Sequence, residues 1–111
     1  MRILAIEREP STLIHANLPD LLHAEAAGIW ELQKRGIVRD IWFTTDRHAI
    51  VMLECPNAGE ARKHLAALPL VRAGLIEFTL HELHSYDGFE RLFATGGEPA
   101  TLSKHEEPAE Y

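Results

Sequence analysis

The side chains in this chain with types and spacing suited to proton chemistry are a histidine at the start of a helical stretch and carboxylates that continue apolar strands. His23 stands beside Leu22. An imidazole half-facing a core titrates near neutrality and suits a general base; the plain alternative is a surface histidine at the helix rim. Asp40 and Trp42 are two apart in a β-rich run and share a face. A carboxylate beside an indole on an apolar strand makes a pocket wall, where desolvation raises the carboxyl toward proton transfer. The alternative is an Asp paired with Arg39 or Arg47 at a sheet edge. Glu54 continues the face of Ile50 and Met52, and Glu7 that of Ile3 and Ala5. Each charge is costly if buried unpaired and harmless at a rim. Arg39 is the candidate anion anchor, and Trp42 the candidate wall for an apolar ligand. Glu25 shares the first helical turn with His23 and reads as a partner of the helix dipole.

Other chemistries find no support in the spacing. His81 and His84 are three apart on a strand and face opposite ways, so no metal site is expected. Nor is a cofactor, although a haem needs just one axial histidine. The single cysteine, Cys55, reads as a small buried residue. There is no Ser nucleophile elbow, and Gly96-Gly97 does not join a strand to a helix, so no standard nucleotide loop is present.

The elements that must position these residues follow from periodicity. Residues 2–8 are an apolar run closed by charges, a first strand, and 10–19 a connector. Asp20 reads as an N-cap, Leu22, Ala26, Ile29 and Leu32 as one helical stripe, and Gly36 as its stop. Residues 37–44 and 48–55 are strands joined by the turn Thr45-Asp46-Arg47. Asn57 with Glu60 resembles a capping box for a second helix burying Ala61, Leu65 and Leu68. Residues 69–74 are its exit, and 75–83 the fourth strand, with Glu77 and His81 on a mixed face. Phe89, Leu92 and Phe93 fit one helical turn that packs on something. The expected organisation is one domain over 1–94 and a C-terminal tail over 95–111, rich in Gly, Pro and acid.

This order, βαββαβ, is an α+β ferredoxin-like plan: a four-stranded antiparallel sheet with both helices on one face. Such a sheet should alternate apolar and polar residues. Here Ile3 and Ala5 oppose Leu4 and Ile6, and Ile50 and Met52 oppose Val51 and Leu53, so both faces are apolar. Two helices cover one face. The other is expected to meet its counterpart in a second copy, giving a homodimer or larger homo-oligomer; the alternative is a monomer whose C-terminal segment folds back. A formal net charge of -6 repels phosphate, so nucleic acid and anionic membrane are poor partners. The short N-terminal apolar run and the lone cysteine place the protein in the cytoplasm.

The stretches Glu31-Leu32-Gln33-Lys34-Arg35-Gly36, Arg39-Asp40-Ile41-Trp42 and Ala67-Leu68-Pro69-Leu70 resemble the muconolactone isomerase family. Leu70-Val71-Arg72-Ala73-Gly74-Leu75-Ile76 looks equally like the YCII-related family. Both resemblances imply the dimeric α+β barrel, in which two ferredoxin-like sheets pack face to face. The first implies cofactor-free proton shuttling on a small organic acid or aromatic-derived molecule. The second implies a histidine in the first helix, here His23, with Asp40 or Glu54 as its acidic partner. The expectation is a small-molecule-binding protein of the isomerase or lyase kind, its cavity between sheet and helices. The rival is a non-catalytic ligand-binding or assembly module of the same fold, and a third reading is a haem-dependent or oxidative enzyme.

Overall fold

Alternation along the strands decides which side chains meet the helices. A computed structural model describes residues 1–9 and 18–93. The elements are β1 (Arg2–Arg8), α1 (Leu18–Lys34), β2 (Val38–Phe43), β3 (Ala49–Glu54), α2 (Ala58–Ala66), α3 (Pro69–Arg72), β4 (Glu77–Leu83) and α4 (Glu90–Phe93). The strands form one antiparallel sheet in the order β2-β3-β1-β4. This is the ferredoxin-like arrangement, with the two βαβ halves interleaved at the centre. Most of the 10–19 connector and the whole 95–111 tail lie outside the described residues.

Ile3, Ala5, Val51 and Leu53 point to the helices and are fully buried. Val38 of β2, Leu32 of α1, and Ala61, Leu65 and Leu68 from α2 and the turn after it join them in one core. Leu4, Ile6, Ile50 and Met52 point to the opposite, helix-free face, where Trp42 stands exposed. The sheet of the single chain is thus apolar on both faces. Cys55 is a buried free thiol, raised above its ordinary pKa chiefly by burial.

Local chemistry explains most of the boundaries. Asn57 caps α2, its side chain accepting the Glu60 N–H at 2.9 Å. Gly36 ends α1 with φ +76°, a left-handed residue just past the last turn. Two expectations shift. Asp20 lies in the first turn of α1, because the helix already begins at Leu18 and Pro19 is tolerated at its start. The stretch after α2 is the one-turn helix α3, which Pro69 opens with its fixed φ. Strand β2 carries a bulge between Val38 and Asp40. Beyond β4, Tyr86 meets Phe89 edge-on at 4.9 Å and lies over Gly88. Phe89, Leu92 and Phe93 project into solvent from this arm.

Gly36 gives a clean test of the α1 stop. A Cβ there would meet nothing within 4 Å, so only backbone strain opposes a side chain. Gly36→Ala should cost about 1–2 kcal/mol in urea unfolding, and Gly36→Asn clearly less, because Asn tolerates the left-handed region.

Candidate functional site

Helix α1 does not lie flat on the sheet. It packs on α3 and β2, and its stripe passes from Leu32 in the core to Leu22 exposed at the other end. Between α1, from Leu22 to Gln33, and the sheet lies a cavity of about 500 Å3. Its walls are apolar: Leu22, Ala26, Ile29 and Trp30 from α1, Ile41 and Phe43 from β2, Val51 from β3, with Ile76 and Phe78 at the start of β4. That volume suits a small organic molecule.

Two carboxylates reach this apolar space. Glu25 is half-buried on α1, and its Oε1 accepts the Leu70 N–H at 3.0 Å. That amide sits in the first turn of α3, whose N-cap Leu68 offers no side-chain bond. Burial raises the Glu25 carboxyl above its usual range; the Leu70 N–H opposes this and the nearby Glu7 charge adds to it. Glu7 is also half-buried, its Oε1 accepting the Ala49 N–H at 2.8 Å where the β1–β3 ladder ends. Gln33 adds a neutral amide and Arg47 a cation to the lining. The Arg47 guanidinium lies over the Phe43 ring, 4.1 Å from its centre. Among the described residues, no set of three or more His, Cys, Asp or Glu side chains is placed to hold a metal ion.

The residues singled out from sequence fall elsewhere. His23 is exposed on α1 and does not line the cavity, because Leu22, Glu25, Ala26 and Ile29 occupy the inward arc of the helix. Asp40 and Trp42 do share a face, but the register pairs them with Met52 and Ile50, on the helix-free side. Glu54 is on that side too, at the rim, bound to the N-terminal ammonium at 2.6 Å and 4.0 Å from Arg2. That ammonium lowers its carboxyl below the ordinary value. Arg39 sits at the bulge and donates from Nε to the Gly36 carbonyl at 2.8 Å. The sheet therefore brings Asp40, Trp42 and Glu54 to one face and leaves His23 beyond the other. Glu25 was read as a dipole partner and Glu7 as a possible rim charge; the structure makes both cavity walls. The signal for Glu25 was its place on the Leu22–Ile29 arc.

The Glu25 carboxyl gives a pH-dependent test. Its folded value is raised, so the stability tied to its neutral form is complete below the ordinary carboxyl range and is lost as pH rises through the folded value. Glu25→Gln keeps an acceptor for the Leu70 N–H and cannot ionise. The variant should melt a few degrees above wild type at pH 7–8, the gap closing as pH falls below about 4. Parallel melting curves at all pH values would contradict the assignment.

The same architecture recurs in solved structures. Muconolactone isomerase superposes with a TM-score of 0.65 at 16% identity, covering 90% of this chain and 100% of that one. A second match is 5-chloro-2-hydroxyhydroquinone dehydrochlorinase (TftG) from Burkholderia phenoliruptrix AC1100, in complex with 2,5-dihydroxybenzoquinone. It superposes with a TM-score of 0.56 at 15% identity, covering 79% of this chain and 98% of that one. No protein-family model and no curated protein matches the sequence. At these identities the likeness establishes fold, and the chain shares its α+β ferredoxin-like fold with these two proteins.

Proposed function

We propose that the cavity binds a small, largely apolar organic molecule and that Glu25 moves a proton on it without a cofactor, in an isomerase- or lyase-type reaction. The observation that carries this reading is a half-desolvated carboxyl, raised by burial and by a second carboxylate, in the wall of an apolar cavity. Such a group gains and gives a proton closer to neutrality than an ordinary acid, as a bidirectional proton carrier must. The Glu25 carboxylate would accept a proton from a carbon next to a carbonyl. The electron pair would pass into the conjugated system, and the same carboxyl would return the proton at its far end. A lyase would differ in its last step, with a leaving group departing instead. The fold shared with an isomerase and a dehydrochlorinase is in keeping with this chemistry and does not by itself assign it.

The helix-free sheet face completes the reading. Leu4, Ile6, Ile50 and Met52 extend across the sheet from an exposed Trp42 at its β2 edge, an apolar patch of the kind that oligomers cover. We infer a homodimer through this face, at work in the cytoplasm, where the free Cys55 stays reduced. Light scattering should give twice 12.5 kDa or a multiple of it, and Trp42→Glu should shift the mass toward a single chain. A wild-type monomer at micromolar concentration would rule the homodimer out.

The chemistry is tested by solvent exchange. Muconolactone and related unsaturated lactones are incubated with the protein in deuterium oxide, and loss of the C–H signal is followed by NMR. Wild type should catalyse the exchange, and Glu25→Gln should slow it by roughly 10²–10⁴-fold while still binding ligand. Exchange unaffected by Glu25→Gln but lost in His23→Ala or Asp40→Asn would return the chemistry to the residues that the sequence singled out. Binding without exchange of any ligand would favour the non-catalytic module.

A further inference from the structure

The turn between β2 and β3 is built around an unusual residue. Thr44 N–H donates to the His48 carbonyl at 2.8 Å, Arg47 N–H to the Thr44 carbonyl at 2.9 Å, and His48 N–H to Thr44 Oγ1 at 3.0 Å. Arg47 sits in this turn at φ +67°, as a non-glycine residue in the left-handed region. Gly or Asn would adopt that backbone more readily, since an ordinary side chain there costs about 1–2 kcal/mol. The side chain that is kept at this cost stacks on Phe43 and lines the cavity.

We propose that Arg47 is the anion-recognition residue of the cavity, and that the ligand is a planar aromatic or conjugated carboxylate, its charge at Arg47 and its apolar body extending toward Glu25. This rests on the reading of the cavity as a small-molecule site and narrows it to a ligand class. Three observations carry it. Arg47 is the one cation among the residues lining the cavity, and it forms no ion pair with a carboxylate among the described residues. Its guanidinium lies over the Phe43 ring, and an arginine fork can make a two-point bond to a carboxylate. Phe43, Trp30 and Ile41 line the same cavity and give it apolar walls, two of them aromatic.

Charge also fixes the direction of the ligand. Each cavity carboxylate already accepts a backbone N–H and would repel an anion placed next to it. Arg47 and the two carboxylates therefore sort the charged end of a ligand from its uncharged end. A ligand with its carboxylate at Arg47 presents its uncharged end to Glu25, where neutral carbon is the group to be deprotonated.

The test uses benzoate and benzamide, probes of nearly equal shape and different charge, titrated calorimetrically into wild type, Arg47→Asn and Arg47→Lys. Asn suits the left-handed backbone, so Arg47→Asn should fold at least as stably as wild type. Wild type should prefer benzoate by about tenfold or more. Arg47→Asn should lose that preference while still binding benzamide. Arg47→Lys, which keeps the charge without the planar fork, should fall between. Equal binding of the two probes by wild type, or a preference that survives Arg47→Asn, overturns the proposal. Ala26→Trp, which fills the cavity, separates the two levels of the argument. It should abolish binding of both probes; unchanged affinity would sink the cavity reading and this proposal together. Lost discrimination with intact benzamide binding speaks to Arg47 alone.

Discussion

The arrangement depends on how α1 is held away from the sheet. An amphipathic helix beside an apolar sheet gains most by lying flat and closing the gap, at about 25 cal/mol per Å2 of apolar surface. Here α1 is carried by α3 and β2 instead. Gly28 lets the helix approach α3 so closely that a Cβ would meet Leu68 Cδ2 at 3.0 Å. Three residues earlier, Glu25 reaches across to the Leu70 amide. These contacts tie the middle of α1 to α3, and Leu32 ties its end to the core. A space remains between α1 and the sheet, lined on the helix side by Leu22, Ala26 and Ile29.

Holding the helix off the sheet also determines the electrostatics of that space. Aliphatic and aromatic groups replace part of the water around Glu25, which disfavours charge on its carboxyl. Glu7 and Glu25 persist there because each has a backbone N–H as partner, from Ala49 and from Leu70. At Glu25 that one bond does not restore full solvation. The Glu25 hydrogen bond lowers the carboxyl, yet burial outweighs it. The same interaction that positions α1 therefore leaves Glu25 short of the solvation an exposed carboxylate enjoys. Structure and proton affinity share one cause.

This explains what could and could not be read from the sequence. Strand alternation, the Asn57 cap and the Gly36 stop are local signals, and they give the element order and the two-faced sheet. That Asp40 shares a face with Trp42, and Glu54 with Ile50 and Met52, was equally legible, because period two fixes facing within one strand. Which face held the cavity was not legible. It depends on the bulge between Val38 and Asp40, which resets the alternation so that Ile41 and Phe43, not Asp40 and Trp42, turn inward. His23 and Glu25 are two residues apart in one turn, and sequence offers no means of choosing between them without the exact rotation of the helix. The partner that makes Glu25 distinctive is 45 residues away in sequence. The partner of Glu7, 42 residues away, is no more visible.

Strand β2 then joins the two halves of the molecule's behaviour. Its inward residues, Ile41 and Phe43, wall the cavity, and Phe43 carries Arg47. Its outward residues, Asp40 and Trp42, stand on the helix-free face. It is also an edge strand, paired on one side only, to β3. An edge strand with a bulge and one neighbour is the part of a sheet most easily displaced. Covering Trp42 with a second surface would restrain β2, and Phe43 and Arg47 with it. In this geometry, the proposed assembly face and the proposed ligand cavity lie on opposite sides of the same six residues. The position of Arg47 is therefore not independent of what covers the sheet.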